Sequence, residues 1–192
     1  MITNLKYSTL LLASVLVLNG CNNDHDEVLA PPPPTNEEEL ITTVTLHFHS
    51  ANDVEHKHFE FRDLDGDGGN PPIITADTLS ADSVYEVSIE VLDESGTVAE
   101  DITAEILAED EDHQFFFQFT NANATVAYDD ADSNGNPIGL ATIWTMGAAS
   151  DGSLVLTLRH QPDKDGAGVD AGDITNAGGE TDVEVNFPVV IE

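Results

Sequence analysis

One cysteine, one tryptophan and five basic residues are all that this 192-residue chain holds of those types, and each scarcity excludes something. A lone cysteine, Cys21, can neither close an intrachain disulfide nor build a thiolate cluster. Five Lys and Arg against 37 Asp and Glu leave a formal charge of -32, a field that repels nucleic acid and anionic lipid surfaces and attracts cations. Solubility or adaptation to salty surroundings would account for the same acidity. Catalytic signatures are missing as well: there is no Gly-x-Ser-x-Gly, no His-Glu-x-x-His and no phosphate loop. With so many carboxylates an acid/base pair is always available, but nothing singles one out, and the expectation is a protein that is not an enzyme.

What is present begins with a leader. One Lys precedes an apolar run from Tyr7 to Leu18, too short to span a bilayer as a helix, and Gly20 and Cys21 follow. Residues 1–20 are therefore expected to be a secretion signal. Leu18-Asn19-Gly20-Cys21 resembles the bacterial lipobox, which implies cleavage before Cys21 and lipidation of its sulfur. The alternative is an ordinary cleaved signal with an incidental cysteine. Residues 21–39, acidic and rich in proline, cannot assemble a core and are expected to form a disordered tether. Acidic Asp24, Asp26 and Glu27 just after the cysteine suggest surface display on a lipid-anchored outer-membrane protein.

Residues 40–192 are long enough for one domain with a real core. Apolar and polar residues alternate along Val44, Leu46, Phe48; along Tyr85, Val87, Ile89, Val91; along Leu154, Leu156, Leu158; and along Val183, Val185, Phe187, Val189, Ile191. Period-two rows are the mark of half-buried strands, and acidic, glycine-rich turns separate them. The fold expected is all-β, an immunoglobulin-like antiparallel β-sandwich. One short helix interrupts it, between Thr97 and His113, where Thr97 and Glu100 have capping-box spacing and Val98, Ile102 and Ile106 form an apolar stripe. Glu109, Asp110, Glu111 and Asp112 then crowd its last turn, where the helix dipole disfavours anions and a nearby cation would help.

The stretches DLDGDGGNPPI, EDEDHQFFF, NGNPIGL and GDITNAGGETDVEVNFPV together resemble a group of small Gram-negative lipoproteins sometimes labelled type 1 periplasmic binding domain. The resemblance covers most of residues 40–192. It implies an envelope location and a TonB-dependent outer-membrane receptor as partner, and it supplies no site residues. The chain is far too short for a two-lobed periplasmic binding protein.

Candidate chemistry lies first in HFHSANDVEHKHFEF, where four of the seven histidines fall between His47 and His58. With Val44, Leu46, Phe48, Phe59 and Phe61 pointing inward, His47, His49, His56 and His58 all point outward on one sheet face. A turn at Ala51-Asn52 would set His47 opposite His56, with His49 and His58 on the flanks, so that three imidazoles could share a zinc or copper ion. Decoration of a wet sheet face is the plainer reading. His113 and His160 end two core-facing rows and are expected to meet at the sandwich rim, as buried structural histidines or as a second metal site completed by Glu109 or Asp112. Asp63, Asp65 and Asp67 match the first half of a calcium loop, and Asp130, Asp132 and Asn134 repeat it, although Ile74 stands where an EF-hand needs Glu. Calcium binding is one expectation for these loops, and plain turn formation is the other. Two functions follow: a lipid-anchored divalent-metal-binding accessory of an uptake receptor, or a non-catalytic Ig-like interaction module, calcium-stabilised, that binds a protein or glycan.

Overall fold

A computed structural model describes residues 40–50, 54–66 and 69–192. The leader, Cys21, the tether, Asp67 and the Ala51-Asn52 turn lie outside the described residues. Among the described residues, ten strands and one α-helix follow in the order β1 (Thr43–Ser50), β2 (His56–Arg62), β3 (Ile73–Ala76), β4 (Val84–Asp93), β5 (Glu100–Asp101), α1 (Ile102–Ala108), β6 (His113–Thr120), β7 (Ala124–Tyr128), β8 (Ala141–Met146), β9 (Ser150–His160) and β10 (Glu180–Ile191). Seven strands form one sheet in the order β3-β2-β1-β4-β8-β7, with β5 on β4, and three form the other in the order β10-β9-β6. All named strand pairs are antiparallel, and the arrangement is the sandwich that the alternating rows require.

The rows meet in a single core. Phe48 on β1 packs against Phe59, Tyr85 and Trp144 at ring-centre distances of 4.8, 5.9 and 5.0 Å. Phe187 of the smaller sheet closes on Phe59 at 5.7 Å, which joins the two layers. The Trp144 indole N–H is satisfied inside the core by the Thr142 hydroxyl at 2.9 Å, so burying the ring strands no donor. At the open side of β10, Leu79 forms a parallel bridge with Ile191, which covers part of an edge that would otherwise offer free backbone groups.

The helix is shorter than its sequence pattern suggested. Glu100 and Asp101 pair with Asp93 and Leu92 of β4, so the chain is still extended where a Thr97 cap would already have begun the helix. Asp101 is the cap in fact, its carboxylate accepting from the Ala104 N–H at 3.2 Å. Ile102 and Ile106 are buried as the stripe required, whereas Val98 is 82% exposed.

On β6 the core-facing row of His113, Phe115, Phe117 and Phe119 holds, but the opposite face is covered as well, so Gln114 and Phe116 are also buried. Residues 161–179 fold back over the outer face of the smaller sheet. Val169 and Ala177 cover Phe116 there, and the Gln114 amide donates to the Val169 carbonyl at 2.9 Å. That lid also delivers Lys164 to the acidic turn after α1. Its ammonium donates to the Asp110 carbonyl at 2.5 Å and to Asp132 at 3.0 Å. The cation that the acidic helix end called for is thus supplied by the protein itself.

Candidate metal centre

At the rim of the sandwich the ladder between β6 and β9 sets His113 directly opposite His160. The two buried rings lie 4.5 Å apart, centre to centre, with their planes 32° apart. Glu109, at the end of α1, brings a carboxylate oxygen to the same place, and one ligand atom from each of Glu109, His113 and His160 lies within 4.8 Å of the others. Of the two acidic residues considered beside these histidines, Glu109 takes part. Asp112 does not belong to this group; its carbonyl accepts from the Gln161 N–H at 2.6 Å, a link that ties the turn to the end of β9.

A fourth residue escaped the sequence analysis. Asp182, with its side chain 2% exposed, sets Oδ2 3.8 Å from His113 Nε2 and Oδ1 3.7 Å from His160 Nδ1. Strict alternation back from Val183 would turn Asp182 to the outer face. The β10–β9 register, however, shifts between Thr181 and Val183, and the extra residue of that bulge is Asp182. A bulge re-aims one side chain, and here it turns the carboxylate inward beside Val183. Nothing in GGETDVEV marks the irregularity in advance; the paired glycines before it signal only a turn.

These side chains carry atoms that could ligate an ion. His113 Nδ1 lies 3.1 Å from the Glu109 carbonyl oxygen, which selects the tautomer with Nδ1–H donating and leaves the Nε2 lone pair facing Asp182. Burial pushes the His113 imidazole below its ordinary pKa, and the neighbouring His160 adds to that against the pull of the Glu109 carbonyl and Asp182. A neutral imidazole is the form that ligates. His160 Nδ1 is buried and, among the described residues, has no hydrogen-bond partner. Asp182 reaches the two rings through different oxygens, Oδ2 toward His113 and Oδ1 toward His160, and tetrahedral ligation by nitrogen and oxygen at about 2.0–2.1 Å would place ligand atoms about 3.3 Å apart. Two buried imidazoles, the buried Asp182 carboxylate and the exposed Glu109 carboxylate are donor types that zinc or copper(II) accepts.

The outward-facing histidines keep their common face but exchange partners. The register pairs His47 with His58 and His49 with His56, not His47 with His56. The hairpin closes on Ser50 and Glu55, whose backbone N–H groups bond to the Glu55 carbonyl at 3.0 Å and the Ser50 hydroxyl at 2.9 Å, so four residues, not two, make the connection. Glu55 is anchored in turn by the Tyr85 and Ser80 hydroxyls at 2.8 and 3.0 Å, and those bonds hold its carboxyl below the usual range. A slip of two leaves every side chain on its original face, which is why the face was right and the pairing wrong. His47 Nε2 lies 3.6 Å from Glu90 and His58 Nδ1 3.1 Å from Asp77, while the His49 and His56 rings meet edge to face at 4.7 Å.

The two calcium-like loops are held by protein donors. Asp63 accepts from Gly66, and Asp65 from both the backbone and the side chain of Asn70. Asp130 accepts from the amides of Gly139 and Ala141. Asp132 takes the amides of Asn134 and Asn136 as well as the Lys164 ammonium. These bonds give each turn an explanation that needs no ion.

Compared with known proteins, the chain matches no family model, no curated protein and no solved structure. Among the described residues no helix is long and apolar enough to cross a membrane.

Proposed function

We propose that this domain is a non-catalytic binding protein for a divalent transition metal of the zinc or copper(II) type, held by His113, His160, Asp182 and Glu109. One observation carries the reading: side chains from β6, β9, β10 and the end of α1, remote in sequence, bring two buried imidazoles and a buried carboxylate to within 3.8 Å contacts, and a ring nitrogen of His160 there lacks a hydrogen-bond partner. Burying an imidazole nitrogen without a partner is costly, and an ion would supply one. Glu109, exposed at the mouth, gives the ion a path in and out. The leader and Cys21 support an envelope setting with a lipid anchor, and the proposed role is capture of the ion as accessory to a TonB-dependent uptake receptor.

Isothermal titration of the full chain with zinc tests this. One tight equivalent is expected, weakened at least about a hundredfold by H113N, H160N or D182N, and less by E109Q. Unchanged titrations in all four variants would remove the reading. The second reading, an interaction module, is favoured by the edge strand β3, which leaves Ile73 63% exposed.

A further inference from the structure

We propose that the edge strand β7 is a self-association surface, where two copies of this domain pair their β7 strands antiparallel about Val126 and join two seven-stranded sheets into one. Charge marks the place. The chain carries 37 Asp and Glu, yet residues 114–128 and 133–150 contain no Asp, Glu, Lys, Arg or His. Those two stretches hold all of β7 and β8 and the turns at one end of them. On the outer face they present Thr125, Ala127, Ile143 and Thr145, and Val84 of β4, 43% exposed, lies beside Thr145. Two bodies of charge -32 repel, and this uncharged strip is where they approach with the least repulsion. A cationic partner would be drawn to the acidic faces instead.

The strand is open and matches itself. Among the described residues β7 pairs with β8 alone. The Asp129 N–H bonds to the Ala141 carbonyl at 2.9 Å and the Gly147 N–H to the Asn123 carbonyl at 2.7 Å, so odd-numbered residues address β8 while Val126 and Tyr128 turn their backbone groups outward. Other edges are guarded. Leu79 straps β10, where Pro188 also lacks an N–H, and on β6 the Phe115 N–H and carbonyl bond to the Ile138 carbonyl and the Tyr128 hydroxyl. β7 has no proline, no charge and no bulge. In a twofold pairing about Val126 the two central residues exchange backbone hydrogen bonds, Thr125 lies across from Ala127 of the second copy, and Asp129 lies across from Asn123, so no two acids face each other. Beside Asn123 and Thr125 an open groove of about 610 Å³, lined also by Thr145 and Gly147, leaves room for that Asp129 side chain.

A five-residue strand pair is a small interface, so the dimer is weak and depends on concentration. In sedimentation equilibrium the full chain at about 0.5 mM should run as a monomer–dimer mixture, its dimer fraction rising at least about threefold between about 0.02 M and about 0.5 M salt as screening removes the repulsion. T125E/A127E and T125K/A127K should each be monomeric, because the pairing sets like charges directly opposite one another. An equimolar mixture of the two variants should recover dimers, since each residue 125 then faces an opposite charge at residue 127 of the other copy. Thr125 and Ala127 are both exposed, and a circular dichroism spectrum like that of wild type checks that each variant keeps the fold. Dimers that persist in T125E/A127E, or a mixture that stays monomeric, would overturn the proposal. A wild type that remains monomeric at high salt would overturn it too, and would leave the edge to a strand from another protein.

Discussion

Lys164 and Asp132 show how far a single pair can govern a rim. The ammonium and the carboxylate are 5% and 1% exposed and 3.0 Å apart, which makes this an ion pair almost without water. Burial would raise the Asp132 carboxyl, yet Lys164 and the amides of Asn136 and Asn134 together hold it below the ordinary value. A depressed carboxyl contributes stability above its unfolded pKa of about 3.9 and loses that contribution as pH falls further. Wild type should therefore lose melting temperature below about pH 4, and D132N should show a flatter acid limb in that window. Replacing Lys164 by Met leaves a buried charge unpaired and should cost about 3–5 kcal/mol by urea denaturation. The double variant K164M/D132N should lose less than the sum of the two single losses. Neither partner was readable as such: Asp132 had the look of a calcium ligand because its loop has a ligand-like spacing, and the partner 32 residues away reaches it only through the fold.

Among the elements, the bulge in β10 is what sets Asp182 beside His113 and His160. Deleting Asp182 should restore an unbroken ladder to β9, keep the strand and the core row from Val183 to Ile191, and abolish zinc binding at the rim. A circular dichroism spectrum like that of wild type, with no heat in the zinc titration at this site, is the expected result. Gly179 just before it has φ of 70°, and a Cβ there would meet the His160 carbonyl oxygen at 2.3 Å, so G179A should both destabilise the domain and disturb His160. The alternating rows were legible because a strand's side chains obey a period that no loop can alter. His113 and His160 were placed at the rim for the same reason, as the ends of the Phe115 and Leu158 rows. Asp182 was not, since a bulge breaks that period without a sequence signal. The hairpin pairing depended on where a connection closes, and Ser50 and Glu55 close it, with Glu55 held by Ser80 and Tyr85 from elsewhere in the chain.

For the whole molecule, charge and architecture have separate roles. The sandwich brings His113, His160, Glu109 and Asp182 together from distant parts of the chain, and on the proposed reading the net charge of -32 would draw divalent ions toward them. Rising ionic strength should accordingly slow zinc association in stopped-flow measurements while leaving dissociation nearly unchanged, because screening acts on the approach and not on the ligands. Composition alone made the attraction to cations readable. It said nothing of which of the 37 carboxylates would lie beside His113 and His160, a choice that only the fold makes. The central claim is best tested by anomalous scattering at the zinc edge from crystals of the zinc-loaded protein. The account predicts a peak about 2.0–2.1 Å from His113 Nε2 and His160 Nδ1, with Asp182 in its coordination shell. Zinc bound stoichiometrically in solution, with no anomalous peak between those two rings, would contradict it.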